Sequence, residues 1–303
     1  MFDWMRMLYE RMRYLVTCNG ETAEGRLWSD VGVLAGDTLS PSLFNFYVRC
    51  IHMQDRPGDV MLAGMRVKNV EQADDGILLS HFLASAQYRL GDYAQWARLL
   101  GFVVSIAKTE GVAFGYRGPP LNPLTLDREA VHWRDQSTVL GILFCALQGD
   151  VLDQHHLTQA RKGSAVASAL LALQRYLGDL PLRLAIKVYQ ARVEPILAYG
   201  CEVGIALTKP ARDALEKVQL MFFRRVLGYS TRSMRAIIFS ETGILPILHR
   251  RLILALHFYK RMLDLPADTI AAHAFRDALA LYAAGRPGWI GDLATGLRRL
   301  EPI

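Results

Sequence analysis

Apolar and polar positions alternate along Met65 to Ala73, a short apolar run follows at Ile77 to Ser80, and Asp74, Asp75 and Gly76 stand between the two. A period of two marks a half-buried strand, and Asp-Asp-Gly tolerates the backbone angles of a tight reversal, so the stretch predicts a β-hairpin with two carboxylates at its tip. Before it, Met5, Leu8, Met12 and Leu15 at helical spacing predict a helix over Met1 to Leu15, which begins without a cap or lead-in. Val16 to Leu27 predicts a short hairpin turning at Cys18-Asn19-Gly20. Gly32 and Gly36 make a loop that feeds a helix, with Ser40 as its N-cap, Pro41 at the first helical position, and Leu43, Phe44, Tyr47, Val48 and Ile51 largely on one side. After the acids, Phe82, Leu83, Tyr88, Leu90, Tyr93 and Trp96 predict a helix over Phe82 to Leu100, packed under the sheet. Arg117 to Asn122, with two prolines and a glycine, reads as a linker that closes this first core.

From Leu157 onward the period is helical almost throughout. Helices are predicted over His156 to Leu177, Leu182 to Ala206, Pro210 to Leu227 and Pro246 to Leu263, with Gly178, Pro181, Gly228, Pro246 and Pro266 as punctuation. Arg161, Lys162, Arg175, Lys187, Arg192, Lys217, Arg224, Arg225, Arg250 and Arg251 fall on the exposed positions of these helices. The pattern gives a mixed first part followed by an all-α helical bundle.

Charge sharpens this division. The net +6 of the 303 residues is uneven: residues 1–150 carry 14 Lys and Arg against 17 Asp and Glu, residues 151–303 carry 21 against 12, so the parts are −3 and +9. A polyanion lying across the second part is one reading, and a solubility feature is the other. With 51% hydrophobic residues the chain can bury a substantial core as one large or two ordinary domains. Cys18, Cys50, Cys145 and Cys201 are scattered, without zinc-ligand spacing, and read as buried thiols in a reducing compartment. The apolar stretch Leu184 to Leu207 is interrupted by Lys187, Arg192 and Glu194, which argues against a membrane span, and no secretory leader is visible. An intracellular chain, nuclear or cytoplasmic and not secreted, is expected.

Three features carry candidate chemistry. Asp74 and Asp75 offer hard oxygen ligands for Mg²⁺, or simply decorate an ordinary hairpin. The Gly32/Gly36 loop with its capped helix can approach a nucleotide or template backbone, or is a plain loop-helix junction. His155 and His156 are adjacent, point to different sides of a helix, and make a poor metal pair.

Taken in order, these stretches resemble successive motifs of a known family. Gly32-Val33-Leu34-Ala35-Gly36-Asp37-Thr38-Leu39-Ser40-Pro41, then Ala73-Asp74-Asp75, then Leu99 to Gly115 with its Ser-x-x-Lys-Thr-Glu core, then Val139-Leu140-Gly141-Ile142-Leu143-Phe144 are similar to the palm of the reverse transcriptases of non-LTR (LINE-like) retrotransposons. The resemblance extends over the helical tract from Leu157 to Leu263. It implies an α/β (α+β) polymerase palm remnant with an antiparallel hairpin over residues 1–116, a linker and primer-grip-like strands over 117–150, and an all-α helical thumb-like region over 151–303.

The resemblance also assigns roles. Asp74 and Asp75 would be catalytic and bind Mg²⁺ (or Mn²⁺), with Asp74 the more direct ligand. Lys108 would sit near the triphosphate, where a cation offsets charge on the leaving group. Gly32, Gly36, Asp37, Ser40 and Pro41 would face template and incoming nucleotide, and Leu140 and Gly141 the primer end. The partners implied are an RNA template, a DNA primer and deoxynucleoside triphosphates, with no membrane and the oligomeric state open. Basic residues along the helices would neutralise phosphates of a template-primer duplex.

The sequence departs from the family pattern at Ala35, where glutamine is usual, and at Gln72, where an aromatic residue is usual. The family's first metal-binding aspartate is expected upstream of the glycine loop, and Asp3 does not fit it. A truncated copy that lacks this aspartate and the fingers is therefore expected, with exposed sheet edge and low solubility. Two functions follow: a reverse transcriptase domain (RNA-directed DNA polymerase), or an inactive relic acting at most as a nucleic-acid-binding module.

Overall fold

A computed structural model describes residues 10, 13–19, 21–22, 25, 27–28, 36–49, 51, 53–119, 121–147 and 149–300, with residues 27, 28, 175 and 177 described through their backbone only. It is a mixed α and β architecture: small two-stranded sheets with helices between them in the first half, and a helical second half. Most of the expected opening helix lies outside the described residues, and at its end Arg13–Tyr14 (β1) is strand instead. The expected hairpin is present: β2 (Thr17–Cys18) pairs with β3 (Glu21–Thr22), inside the pairing of β1 with β4 (Leu27–Trp28).

Helix α1 (Ser40–Val48) is followed by a run of short strands, β5 (Val60–Leu62), β6 (Met65–Val67), β7 (Asn69–Gln72) and β8 (Asp75–Leu78). The single strand expected over Met65 to Ala73 is divided at Lys68, whose ammonium is drawn to Met53 O at 2.5 Å and to the Asp55 carboxylate. Helix α2 (Leu83–Leu99) follows, within a residue of its expected bounds. Then come β9 (Gly111–Val112), β10 (Leu124–Leu126), β11 (Glu129–Val131), β12 (Trp133–Arg134), β13 (Gln136–Val139) and β14 (Ile142–Cys145). β9 and β12 pair in parallel, while β10 with β11 and β13 with β14 form hairpins.

Helix α2 sits on the first core. Its Leu90 and Ala94 pack against Leu124, Leu126 and Val131, with Leu78, Val104, Ile106 and Trp133 at the margin. Residues beyond 117–122 thus complete the core under α2, and that linker is an excursion from the core rather than its end. Gln87 of α2 supplies a strand-like edge, exchanging hydrogen bonds of 2.7 Å with both Thr125 N and Thr125 O.

The second half holds α3 (Asp153–Ala172), α4 (Gln174–Leu177), α5 (Leu182–Val188), a wide π turn at Tyr189–Val193, α6 (Glu194–Ala198), α7 (Lys209–Val226), α8 (Arg235–Thr242), α9 (Ile247–Leu263), α10 (Ile270–Ala283) and α11 (Trp289–Arg298). The helix expected over Leu182 to Ala206 ends at Ala198 and widens ahead of Pro195, which has no N–H to give the preceding turn. Helices α8, α10 and α11 are not in the sequence reading. Thr208 and Thr269 cap α7 and α10 by accepting from Ala211 N and Ala272 N. Tyr189, Val193, Leu197, Leu215, Phe222, Phe223, Ile238 and Ile247 are fully buried in one core, where each large apolar side chain contributes about 1.5–3 kcal/mol relative to exposure. Among the described residues no helix is long and apolar enough to cross a membrane. Cys145 and Cys201 are buried, whereas Cys18 is exposed, contrary to the reading of all four as buried; Cys50 lies outside the described residues.

Candidate functional site

Strand register decides how the acids are presented. Gln72 pairs with Asp75 and Glu71 with Gly76, so the turn is Ala73-Asp74 alone. Asp75 and Gly76 therefore belong to β8, one step further into the ladder than the sequence suggests. Two-residue turns recur at Ala63-Gly64, Asp127-Arg128 and Leu140-Gly141, where both residues have positive φ, as in type I′ turns. At the acid tip only Ala73 does, with φ 53°, the sign pattern of a type II′ turn. Alanine in that region costs about 1–2 kcal/mol relative to glycine's free choice, and backbone strain of this kind gathers at functional sites.

Asp74 and Asp75 are both exposed, and neither carboxylate makes a side-chain hydrogen bond or ion pair among the described residues. Glu71, one strand back, is half-buried; burial pushes its carboxyl up, while a 3.0 Å hydrogen bond from Asn69 Nδ2 opposes the shift. Tyr93 of α2 stands behind the tip. A Cβ on Gly76 would lie 2.7 Å from Tyr93 Cζ, so only glycine fits the strand here. Burial, then the charges of Glu71, Asp74 and Asp75, push the Tyr93 phenol up. The phenol therefore stays protonated and faces a field of negative charge.

The other residues singled out in the sequence are distributed around the same half. Gly32, with Val33, Leu34 and Ala35, lies outside the described residues, as does Asp3. Gly36 has φ 86°, and Asp37 is half-buried with its Oδ2 lacking a hydrogen-bond partner among the described residues. Leu39, not Ser40, occupies the N-cap; Ser40 is buried in the first turn and Pro41 follows it. Helix α1 is held to the turn after α2 by Tyr47 Oη donating to Leu100 O at 2.8 Å and by Phe102 packing against Phe44 and Tyr47. Lys108 is exposed in a short 3₁₀ turn, Ile106–Lys108, whose Ile106 anchors it to the core under α2. No ion pair joins Lys108 to Asp74 or Asp75.

Leu140 and Gly141 form the turn between β13 and β14, not a strand as the family motif suggests. The turn is tied to the helical half. Tyr199 Oη donates to Leu140 O, the Leu143 amide donates to His155 Nδ1 at 3.3 Å, and His155 Nε2 donates to Tyr199 O at 3.1 Å. Burial pulls the His155 pKa down, which favours this neutral tautomer. Sequence reading missed this use of His155 and Tyr199; an isolated tyrosine after a helix gives no signal of a partner 59 residues away. His156 is also structural, its Nδ1 accepting from Arg251 Nη2 at 3.0 Å.

The basic helices are only partly a surface. Arg161, Lys162, Lys187, Arg192, Lys217 and Arg225 are exposed, but Arg251 is buried and bonds to Leu197 O and, at 3.3 Å, Gly204 O. Its long side chain at the inner face of α9 is what the helical period alone misplaces. Between α3 and α7 runs an open groove of about 500 Å³ with Gln154, Arg161, Ser164 and Lys217 on its walls. Comparison with known protein families gives no match to this chain, and no curated protein matches it.

Proposed function

We propose that the chain is the palm and thumb-like part of a reverse transcriptase of the non-LTR kind, acting on an RNA template, a DNA primer and deoxynucleoside triphosphates. The observation that carries this reading is the acid tip: two exposed, unpaired carboxylates, Asp74 in a strained two-residue turn and Asp75 at the first position of the strand after it, braced from behind by Tyr93 at Gly76. The donor set suits Mg²⁺ or Mn²⁺, which take hard oxygen ligands, and the field that reaches Tyr93 is the field a cation would neutralise. Asp74 and Asp75 would hold the ion, which when bound polarises a phosphoryl oxygen and stabilises the leaving group. Lys108 would offset charge on the triphosphate; Gly36, Asp37, Ser40 and Pro41 would lie along template and nucleotide, and the Leu140-Gly141 turn at the primer end. Exposed cations of the helical half would take backbone phosphates without regard to sequence.

In-line transfer through two ions asks for one more carboxylate than this tip supplies. The isolated chain is therefore proposed to bind template-primer and extend it poorly. The binding-module reading is favoured by the groove between α3 and α7, which sets Arg161 and Lys217 beside an otherwise largely apolar wall of Leu157, Ala160, Ala214, Val218 and Met221, independently of the acid tip.

Primer extension on an RNA template with Mg²⁺, beside a variant carrying Asp74→Asn and Asp75→Asn, separates the two. Extension abolished in the variant supports a working polymerase. No extension, with template-primer affinity that falls by about 0.9 log units per log unit of salt for each phosphate contact, supports the module. Absence of both activities rejects the proposal.

A further inference from the structure

A second cavity, of about 60 Å³, lies where the segment after α6, the start of α7, the middle of α9 and the end of α11 meet. A cavity holds a water when about 10–15 Å³ is open to a water-sized probe, so this one has room for about four to six heavy atoms. Its described lining carries four arginines, Arg212, Arg235, Arg251 and Arg299, against one carboxylate, Glu216. That carboxylate is already engaged by Arg235 Nη2 at 2.7 Å.

The remaining three guanidinium groups have no acid to pair with inside the cavity. Arg251 is 3% exposed, and its hydrogen bonds go to neutral acceptors, Leu197 O, Gly204 O and His156 Nδ1. Glu202 attracts it only through space. Arg299, exposed at the rim just past α11, donates to another carbonyl, Leu207 O at 2.7 Å. Arg212, in the first turn of α7, makes no side-chain hydrogen bond or ion pair among the described residues. The buried charge of Arg251 is costly unless matched by opposite charge, and arginine forks suit the oxygens of a phosphate. Ile205, Leu248 and Leu252 exclude water from the inner wall, which strengthens any charge pair formed there.

We infer that this cavity is a binding site for a single phosphate group, held by Arg212, Arg251 and Arg299. The inference does not rest on the polymerase reading: a nucleic-acid strand end and free phosphate share the chemistry, and the site stands or falls with phosphate alone.

Thermal melts in sodium phosphate, with sodium chloride at matched ionic strength as reference, test it on the full chain. A bound ion gives a rise that follows the logarithm of 1 + [phosphate]/Kd, about 2–4 °C at ten times Kd and then an equal step for each further tenfold, whereas phosphate acting only by exclusion from the surface gives a rise linear in concentration. Arg212→Gln with Arg299→Gln should abolish the logarithmic rise. Arg261→Gln, an exposed arginine at the end of α9 outside the cavity, should keep it. A linear rise, no rise, or a logarithmic rise that survives in the double variant overturns the inference; should the double variant fail to fold, the logarithmic form in the unmodified chain still decides. A dinucleotide with a 5′-phosphate that reproduces the rise, where its 5′-hydroxyl counterpart does not, assigns the site to a strand end, and failure of both beside a positive phosphate result assigns it to the free ion.

Discussion

Helices α2 and α7 are close in length, 17 and 18 residues, yet they are held by different forces. Helix α2 rests on a small apolar core and buries a complete guanidinium, Arg89, against the Asp59 carboxylate. Asp59 also accepts from Arg56 N at 3.1 Å and Arg66 Nη1 at 3.3 Å, and Arg56 reaches on to Asp92. Around it, Phe46, Leu99 and Val103 are 75%, 79% and 90% exposed, so the sheet half leaves apolar surface uncovered. Helix α7 instead buries Leu215, Val218, Phe222 and Phe223 among Tyr189, Leu197 and Ile238. One helix is located by directional charge pairing and the other by apolar volume. Directional pairing fixes the ground on which the hairpin and its acids stand, while a large apolar core makes a stable support that need not be precise.

The largest effects should come from cutting each support. Asp59→Asn leaves Arg89 buried beside a neutral partner and should cost about 3–5 kcal/mol. Phe223→Ala should cost a similar 3–5 kcal/mol through the cavity it leaves. Hydrogen exchange will tell the halves apart: the first change should open amides of α2 and β8, the second those of α3 and α7. Equal opening everywhere in both variants would show one cooperative unit and dissolve the comparison.

Gly76→Ala sharpens the description of the acid tip. Its new methyl meets the Tyr93 ring and should cost about 1–3 kcal/mol in a denaturant melt. Tyr93→Phe in the same chain should recover part of the loss, because the hydroxyl is the nearest obstacle. Additive costs would mean that the two residues do not press on one another.

A smaller effect separates the halves by pH. Burial and the neighbouring Arg251 charge pull the His156 pKa from 6.5 to about 3, and His155 shifts in the same direction. A depressed histidine stays neutral in the folded state while the unfolded chain takes up a proton below pH 6.5, so stability is full above that value and is lost as pH falls. His156 alone should remove about 1.3 kcal/mol between pH 7 and 5.5. Melts of His156→Gln should lose that slope; an unchanged slope would place the titration elsewhere.

The smallest expected change is a gain. Ala73→Gly relieves the positive φ at the tip and should stabilise by about 0.5–1 kcal/mol, read as a higher denaturation midpoint. A loss instead would mean that the turn carries no strain.

The period of the sequence determined much of this molecule: the hairpin at 69–78, the helix over 83–99, and the long helices of the second half all follow from local pattern, because strand and helix periods place apolar side chains on one face whatever lies opposite. Asp74 and Asp75 were visible as adjacent acids, read as both lying in the Asp-Asp-Gly turn at the hairpin's tip. What the sequence could not contain was the exact register that puts Ala73 at positive φ and Asp75 in the strand, since a one-residue shift keeps the same composition while exchanging the faces. Nor could it show Arg251 inside rather than outside, or Tyr199 and His155 gripping the Leu140-Gly141 turn. Those depend on partners 12 to 95 residues away, and only the packed chain brings such groups within hydrogen-bonding distance.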